Sequence, residues 1–174
     1  MSTNLTIQNL ESCLNLQLTP HFNLKEFFVS SSNYECNLVD FSKCNNVDKI
    51  RYISNLHRLA HELEYVRECF DLPFVITSGW RSYTTNLHCG GAKRSRHMIG
   101  CAVDFHVDLS KDTKSFYNDG GYPKVCEFLL KSPFAKEIIQ YVSRDGKVQW
   151  IHFSIAEDLR VKYDCKIATT TLAW

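Results

Sequence analysis

No apolar run in the chain approaches the roughly 20 residues that a bilayer-crossing helix needs, and none of its cysteines stands in a CxxC pair. The first absence predicts a chain without a membrane span. The second leaves neither a zinc ribbon nor a thioredoxin-like redox motif. Charge of one sign is not in excess either: 20 Lys and Arg against 19 Asp and Glu give a net charge of +1 at pH 7. That balance argues against a nucleic-acid binder driven by phosphate neutralisation. The N-terminus MSTNLTIQNLESC has no basic start, no apolar stretch and no small-residue cleavage site, so no Sec signal is expected and the chain is expected to be synthesised in the cytoplasm. No internal repeat, low-complexity tract or Gly/Pro-rich linker divides it.

What is present suits one domain. The 174 residues are 44% apolar, enough for one real core. The reading is an N-terminal arm over residues 1–17 and a single domain over 18–174. Eight cysteines (Cys13, Cys36, Cys44, Cys69, Cys89, Cys101, Cys126 and Cys165) fall short of the roughly 8–10% that marks a disulfide scaffold, so reduced thiols are expected.

The clearest element is a helix from Val47 to Phe70, where Ile50, Ile53, Leu56, Leu59, Ala60, Leu63, Val66 and Phe70 keep three- and four-residue steps and Pro73 follows. Before it, NLKEFF reads as a short helical segment, SSSNYECN as a polar stretch and DFSKCNNVDKI as a loop running into a helix start. PFVITSGW, Cys101–Val107 and Val148–Ile155 read as strands, and Tyr122–Leu130 has helix spacing. The fold class expected is α+β, a small, mainly antiparallel sheet packed against helices.

Two strands carry polar groups in apolar context. In CAVDFHV, alternation puts Val103, Phe105 and Val107 on one face and Ala102, Asp104 and His106 on the other. In VQWIHFSI, Ile151, Phe153 and Ile155 oppose Trp150, His152 and Ser154. If both apolar faces pack on one helix layer, Asp104 and His152 emerge on the same open side. His97 precedes a turn at Gly100 and can join them. Two imidazoles and a carboxylate form the three-ligand set of a catalytic zinc site. Spacing alone leaves open the alternative of ordinary hydrogen-bonded strand residues.

The segment SGWRSYTTNLHCGGAKRSRHMIGCAVDFHV, followed some 45 residues later by WIHFSI, resembles the zinc D-alanyl-D-alanine carboxypeptidase and peptidoglycan endopeptidase family. These are the LAS metallopeptidases, with the Hedgehog/DD-peptidase fold, and the chain is most similar to their short phage and bacterial members. The likeness rests on Arg81 after Ser-Gly, the run Asn86 to Ala92, the Ser-x-His-x-x-Gly-x-Ala-x-Asp pattern from Ser95 to Asp104, and Trp-x-His from Trp150 to His152. It covers roughly residues 18 to 156. The resemblance implies zinc held by His97, Asp104 and His152, with Arg81 facing substrate and Ser95 close to the metal. A guanidinium there can hold a carbonyl oxygen or carboxylate with two donors.

One position departs from the pattern. Many relatives carry a Glu, the general base, three residues before the last His ligand, and this chain has Gln149 there. A neutral amide cannot accept the proton. A regular strand would also turn Gln149 away from His152. Either another acid does the job or the chain hydrolyses poorly: Asp145 in the turn SRDGK is a reachable candidate, with Glu137 and Asp108 weaker ones, and the sequence assigns no base. His106, on the Asp104 face, is a secondary candidate for a proton shuttle or transition-state donor. His57-Arg-Leu-Ala-His61 has zincin-like spacing, but Arg58 stands where the Glu would be, so both are read as solvated helix residues, and His21 and His88 as uncommitted.

The function expected is hydrolysis of an amide in the peptidoglycan stem peptide, by a carboxypeptidase or endopeptidase of phage-lysin type, reaching the wall after lysis or inside a virion, with phage or virion components as further partners. The alternative is a zinc-containing wall-binding or virion module that has lost hydrolysis, and a third option is a zinc peptidase acting on a non-wall peptide. The arm and the tail KYDCKIATTTLAW lie outside the resemblance, and either can contact partners or, through Leu172 and Trp174, pack back on the domain.

Overall fold

The computed structural model describes residues 14–30, 34–111, 113–158, 160–161 and 163–173. Of the expected arm, residues 1–13 lie outside them, and so does Trp174. The described chain opens with a two-stranded hairpin, β1 (Gln17–Thr19) and β2 (Phe22–Asn23), followed by a 3-10 turn over Leu24–Phe28. Asn23 caps that turn, its side chain accepting from the Glu26 amide while the Glu26 carboxylate accepts from the Asn23 amide.

Helix α1 (Tyr34–Lys43) occupies part of the segment expected as a polar stretch and a loop. Its short length and polar composition hid it, and packing completes it: Phe41 is buried against Phe28 and Trp80. Helix α2 (Asn46–Phe70) matches the expected long helix. Asn45 caps its start, accepting from the Asp48 amide at 2.9 Å, and Asp71 ends it in the left-handed region at φ 50°. Its expected apolar face is buried from Leu56 to Val66, but Ile50 in the first turns is 69% exposed. The helix begins before the core does.

The main sheet has five strands in the order β3 (Phe74–Ser78), β4 (Ala102–Val107), β6 (Val148–Ile155), β5 (Ala135–Val142) and β7 (Ile167–Thr171). Every pairing is antiparallel except that of β5 with β7. The fold is α+β, as the sequence predicts. Between the strands lie helices α3 (Tyr83–His88), α4 (Thr113–Asn118) and α5 (Gly121–Leu130). Among the described residues no helix is long and apolar enough to cross a membrane.

The alternation in β4 and β6 decides which sheet face is buried. Val103, Phe105, Ile138, Ile151, Phe153 and Ile155 are fully buried in one core with Leu56, Leu59 and Leu63 of α2 and Val125 and Leu129 of α5. Each such Leu, Ile or Phe stabilises the fold by roughly 1.5–3 kcal/mol. With that face sealed, the other must turn its polar groups outward. Strand β7 comes from the tail: Leu172 is buried, and its amide donates to the Val142 carbonyl at 2.8 Å. The seven described cysteines are all unpaired.

Candidate metal centre

Asp104 of β4 and His152 of β6 are direct partners across the antiparallel pair. Register alone therefore brings them together on the open face, with His152 Nδ1 2.7 Å from Asp104 Oδ1. His97 arrives from the 3-10 turn Arg96–Ile99, which ends at Gly100 with φ 71°. A side chain at Gly100 would also meet the Tyr52 carbonyl oxygen at 2.8 Å, so the turn requires glycine. His97 Nδ1 lies 2.7 Å from the Gly79 carbonyl oxygen. A donor hydrogen there leaves the Nε2 lone pair free and pointed inward.

The three side chains converge on one point. His97 Nε2 is 3.3 Å from His152 Nδ1 and 3.4 Å from Asp104 Oδ1. A tetrahedral zinc with bonds of about 2.0–2.1 Å separates its ligands by roughly 3.3 Å. Two edges of the triangle fit that spacing, and the third is drawn in by the Asp104–His152 hydrogen bond. Among the described residues this is the one group of three His, Cys, Asp or Glu donors close enough to hold a metal ion. The imidazole and carboxylate donors are those that zinc takes.

Protonation of the three side chains is set by burial and by these neighbours. Burial holds His97 below its ordinary pKa despite Asp104 beside it. Burial also acts against ionisation of Asp104, but His97 and the His152 hydrogen bond outweigh it and keep the carboxyl well below the usual range. For His152 burial pulls down, yet hydrogen bonds to Asp104 and Glu137 raise it to about 9. A metal therefore has to displace a proton from Nδ1.

Around the three lies an open cleft of about 960 Å³, whose wall includes Arg81, Ser95, Glu137, Tyr141 and Trp150. Arg81 donates through Nη2 to Asp104 Oδ2 at 2.5 Å and through Nε to Ser78 Oγ at 2.8 Å. It thus holds the second oxygen of Asp104 while facing the cleft. Ser95, half-buried, precedes the His97 turn and makes no side-chain cap bond to it. The structure brings together Arg81, Ser95, His97, Asp104 and His152.

His106 and Asp145 are placed elsewhere. His106 pairs with Val75 further along β4 and is not among the described residues lining the cleft. Asp145 lies exposed in the β5–β6 turn, accepting from Ser143 Oγ at 2.5 Å and paired with Lys147 at 2.8 Å. Asp108 accepts from the Ser110 amide at 2.9 Å. The acid at the cleft is Glu137, whose Oε2 is 3.4 Å from His152 Nε2. His152 pulls the Glu137 carboxyl below its ordinary range. Its signal in the sequence was the spacing Glu137, Ile139, Tyr141, three residues that all line the cleft. Gln149 sits at a register shift in β6, where Tyr141 pairs with Trp150 but Val142 with Val148. The strand is not regular there. Gln149 donates to Ser143 Oγ at 3.1 Å and to the Lys147 carbonyl at 3.2 Å while reaching the cleft rim. The zincin-like pair His57 and His61 is exposed on α2, the rings 4.5 Å apart, and neither is among the described residues lining the cleft.

No curated protein matches the sequence. Residues 20–118, more than half of the chain, match the family described as Peptidase M15. The matched stretch takes in Arg81, Ser95, His97 and Asp104 and ends before the strands that bring Glu137 and His152. A match over that share of the sequence shows that the chain belongs to the Peptidase M15 family.

Proposed function

We propose that the chain is a zinc-dependent peptidase that hydrolyses an amide bond of the peptidoglycan stem peptide, in a lysin-type role on the cell wall. The observation that carries the reading is the convergence of His97 Nε2, Asp104 Oδ1 and His152 Nδ1 on the floor of a cleft walled by Arg81 and Glu137. Zinc held by those three atoms would polarise the scissile carbonyl and bring the pKa of water near neutrality.

The chain's own groups divide the remaining work. Glu137 uses Oε2 to accept the His152 Nε2–H, which turns Nδ1 toward Asp104 and His97. Its other oxygen, Oε1, takes the proton that water loses as its oxygen attacks the carbonyl carbon. That proton then passes to the amine nitrogen as the C–N bond breaks. Arg81 fixes Asp104 and directs its remaining N–H groups at the carbonyl oxygen as negative charge develops there. Ser95 offers its hydroxyl to the substrate backbone. Tyr141 and Trp150, stacked at 4.8 Å, form a flat apolar wall beside them.

Gln149 favours a second reading, a wall-binding module that retains metal without hydrolysis. A cleft carboxylate at Glu137 supports catalysis instead. The deciding experiment measures zinc content and stem-peptide release from purified peptidoglycan on one preparation, with His152→Ala and Arg81→Ala beside the parent. Near-stoichiometric zinc that His152→Ala loses, with release abolished in both variants, is the expected result. Zinc without release establishes the binding module, and absence of zinc removes the site.

A further inference from the structure

The acidic groups of the cleft are already engaged, and Arg81 with them, whereas three further basic residues of the cleft carry no ion pair among the described residues. Asp104 is bound to Arg81, His97 and His152, and Glu137 to His152. Arg94, Arg96 and Lys136 also line the cleft, and none of them is ion-paired with an acidic side chain among the described residues. Two local features place them there. Arg94 and Arg96 flank Ser95 on the segment leading to His97. Lys136 occupies a register shift in β5, where Ala135 pairs with Ile155 but Glu137 with Ser154. The extra residue lets neighbours Lys136 and Glu137 both reach the cleft, which a regular strand would prevent.

The tail then gathers two of these cations. Lys136 Nζ is 4.3 Å and the Arg96 guanidinium carbon 6.0 Å from the centroid of the Tyr163 ring. One aromatic ring, itself outside the residues that match the family, thus lies against both cations.

We propose that Arg94, Arg96 and Lys136 form an anion subsite that selects peptides bearing a free carboxylate close to the scissile amide, with Tyr163 as its positioning residue. The proposal rests on the peptidase reading for the scissile bond but not for the selectivity, which is a property of binding. Stem peptides meet it when their side-branch carboxylates are ionised and fail it when those are amidated. Partly screened ion pairs each change an equilibrium by up to about fivefold, so three cations acting on one carboxylate give a preference of roughly tenfold.

The test uses two synthetic stem peptides that differ only in a free carboxylate or a carboxamide on the residue next to the scissile amide. Their binding to the full chain is measured by titration calorimetry, and their cleavage by product release, for the parent, for Arg94→Gln/Lys136→Gln and for Tyr163→Leu. The parent is expected to prefer the acid about tenfold, less at high salt, with the preference falling toward unity in the double variant and partway in Tyr163→Leu. Preferential binding of the acid without cleavage of either peptide supports the subsite and counts against the peptidase reading. Equal binding of both peptides, binding of neither, or a preference that survives in the double variant overturns the subsite. Circular dichroism of each variant identifies any that misfolds, and Lys136→Gln alone, at a partly exposed position, then takes its place.

Discussion

Glu137 reaches His152 from the side of the imidazole opposite Asp104: its Oε2 lies 3.4 Å from Nε2, while Asp104 Oδ1 lies 2.7 Å from Nδ1. A histidine held at both nitrogens by carboxylates has a fixed ring plane. The carboxylate that fixes it is also the acid at the cleft, so in the proposed reaction one side chain would serve both orientation and proton transfer.

Glu137→Gln is therefore expected to keep the metal and lose turnover. The amide can still accept the Nε2–H through its oxygen, but it cannot take a proton from water, and losses of roughly 10²–10⁴-fold in kcat are usual for a missing general base. Asp145→Asn, altering the exposed turn, is expected to leave kcat close to the parent value. Zinc analysis and steady-state cleavage of a stem peptide check both. Full activity in Glu137→Gln, or its loss in Asp145→Asn, would return the base to the turn.

Gly79 admits no side chain. A Cβ built there lies 2.2 Å from the Phe27 carbonyl oxygen, which itself accepts from the Trp80 amide at 2.6 Å. The Gly79 carbonyl also receives His97 Nδ1. Gly79→Ala is expected to destabilise the fold by at least the roughly 1–3 kcal/mol typical of overpacking, and to lower metal affinity because His97 loses its anchor. Thermal unfolding and metal titration read the two effects. An unchanged Tm would show that the 3-10 turn can step aside.

How much of this was legible in the sequence depended on whether a face was buried. The alternation of Val103, Phe105, Ile151 and Phe153 against Asp104 and His152 survives because one side of β4 and β6 is sealed by α2 and α5, and it put Asp104 and His152 on one open side; the reading of these two with His97 as metal ligands came from the family resemblance. Strand β5 escaped because the extra residue at Lys136 separates its inward residues Ala135 and Ile138 by three positions rather than two. Strand β7 escaped because all five of its residues are exposed, leaving no apolar face to alternate. Glu137 could not be ranked above Asp145 for the same reason: its approach to His152 depends on the register of a strand the pattern did not reveal.

The tail strand yields a further prediction. Strand β7 covers the outer edge of β5, and the amide of buried Leu172 closes it by donating to the Val142 carbonyl. Removing residues 167–174 would bare the amide and carbonyl groups of β5 along an apolar-flanked edge, a template for pairing with another chain. The shortened chain is expected to unfold at lower temperature and to self-associate, by calorimetry and light scattering. A monomer of unchanged Tm would mean that the tail is an ornament of the edge rather than part of the fold.

Stability is expected to fall on acidification through a residue far from the cleft. Glu64 is buried on α2, where its Oε2 accepts from Thr19 Oγ1 at 2.6 Å and from the His21 amide at 3.2 Å, and its Oε1 meets His21 Nδ1. Burial pushes this carboxyl up, but the His21 and Thr19 hydrogen bonds outweigh it, and its pKa lies below the ordinary 4.5. A carboxyl depressed in the folded state stabilises the fold fully above its unfolded pKa and ceases to do so as pH drops through the folded one. Glu64→Gln, which cannot ionise, should thus be about 1–3 kcal/mol less stable than the parent at pH 7, and the gap should close as the pH is lowered below about 4. Urea unfolding of both proteins from pH 7 to pH 3 measures it. A gap that stays constant or widens on acidification would mean that the charge on Glu64 does not pin the β1–β2 hairpin to the long helix.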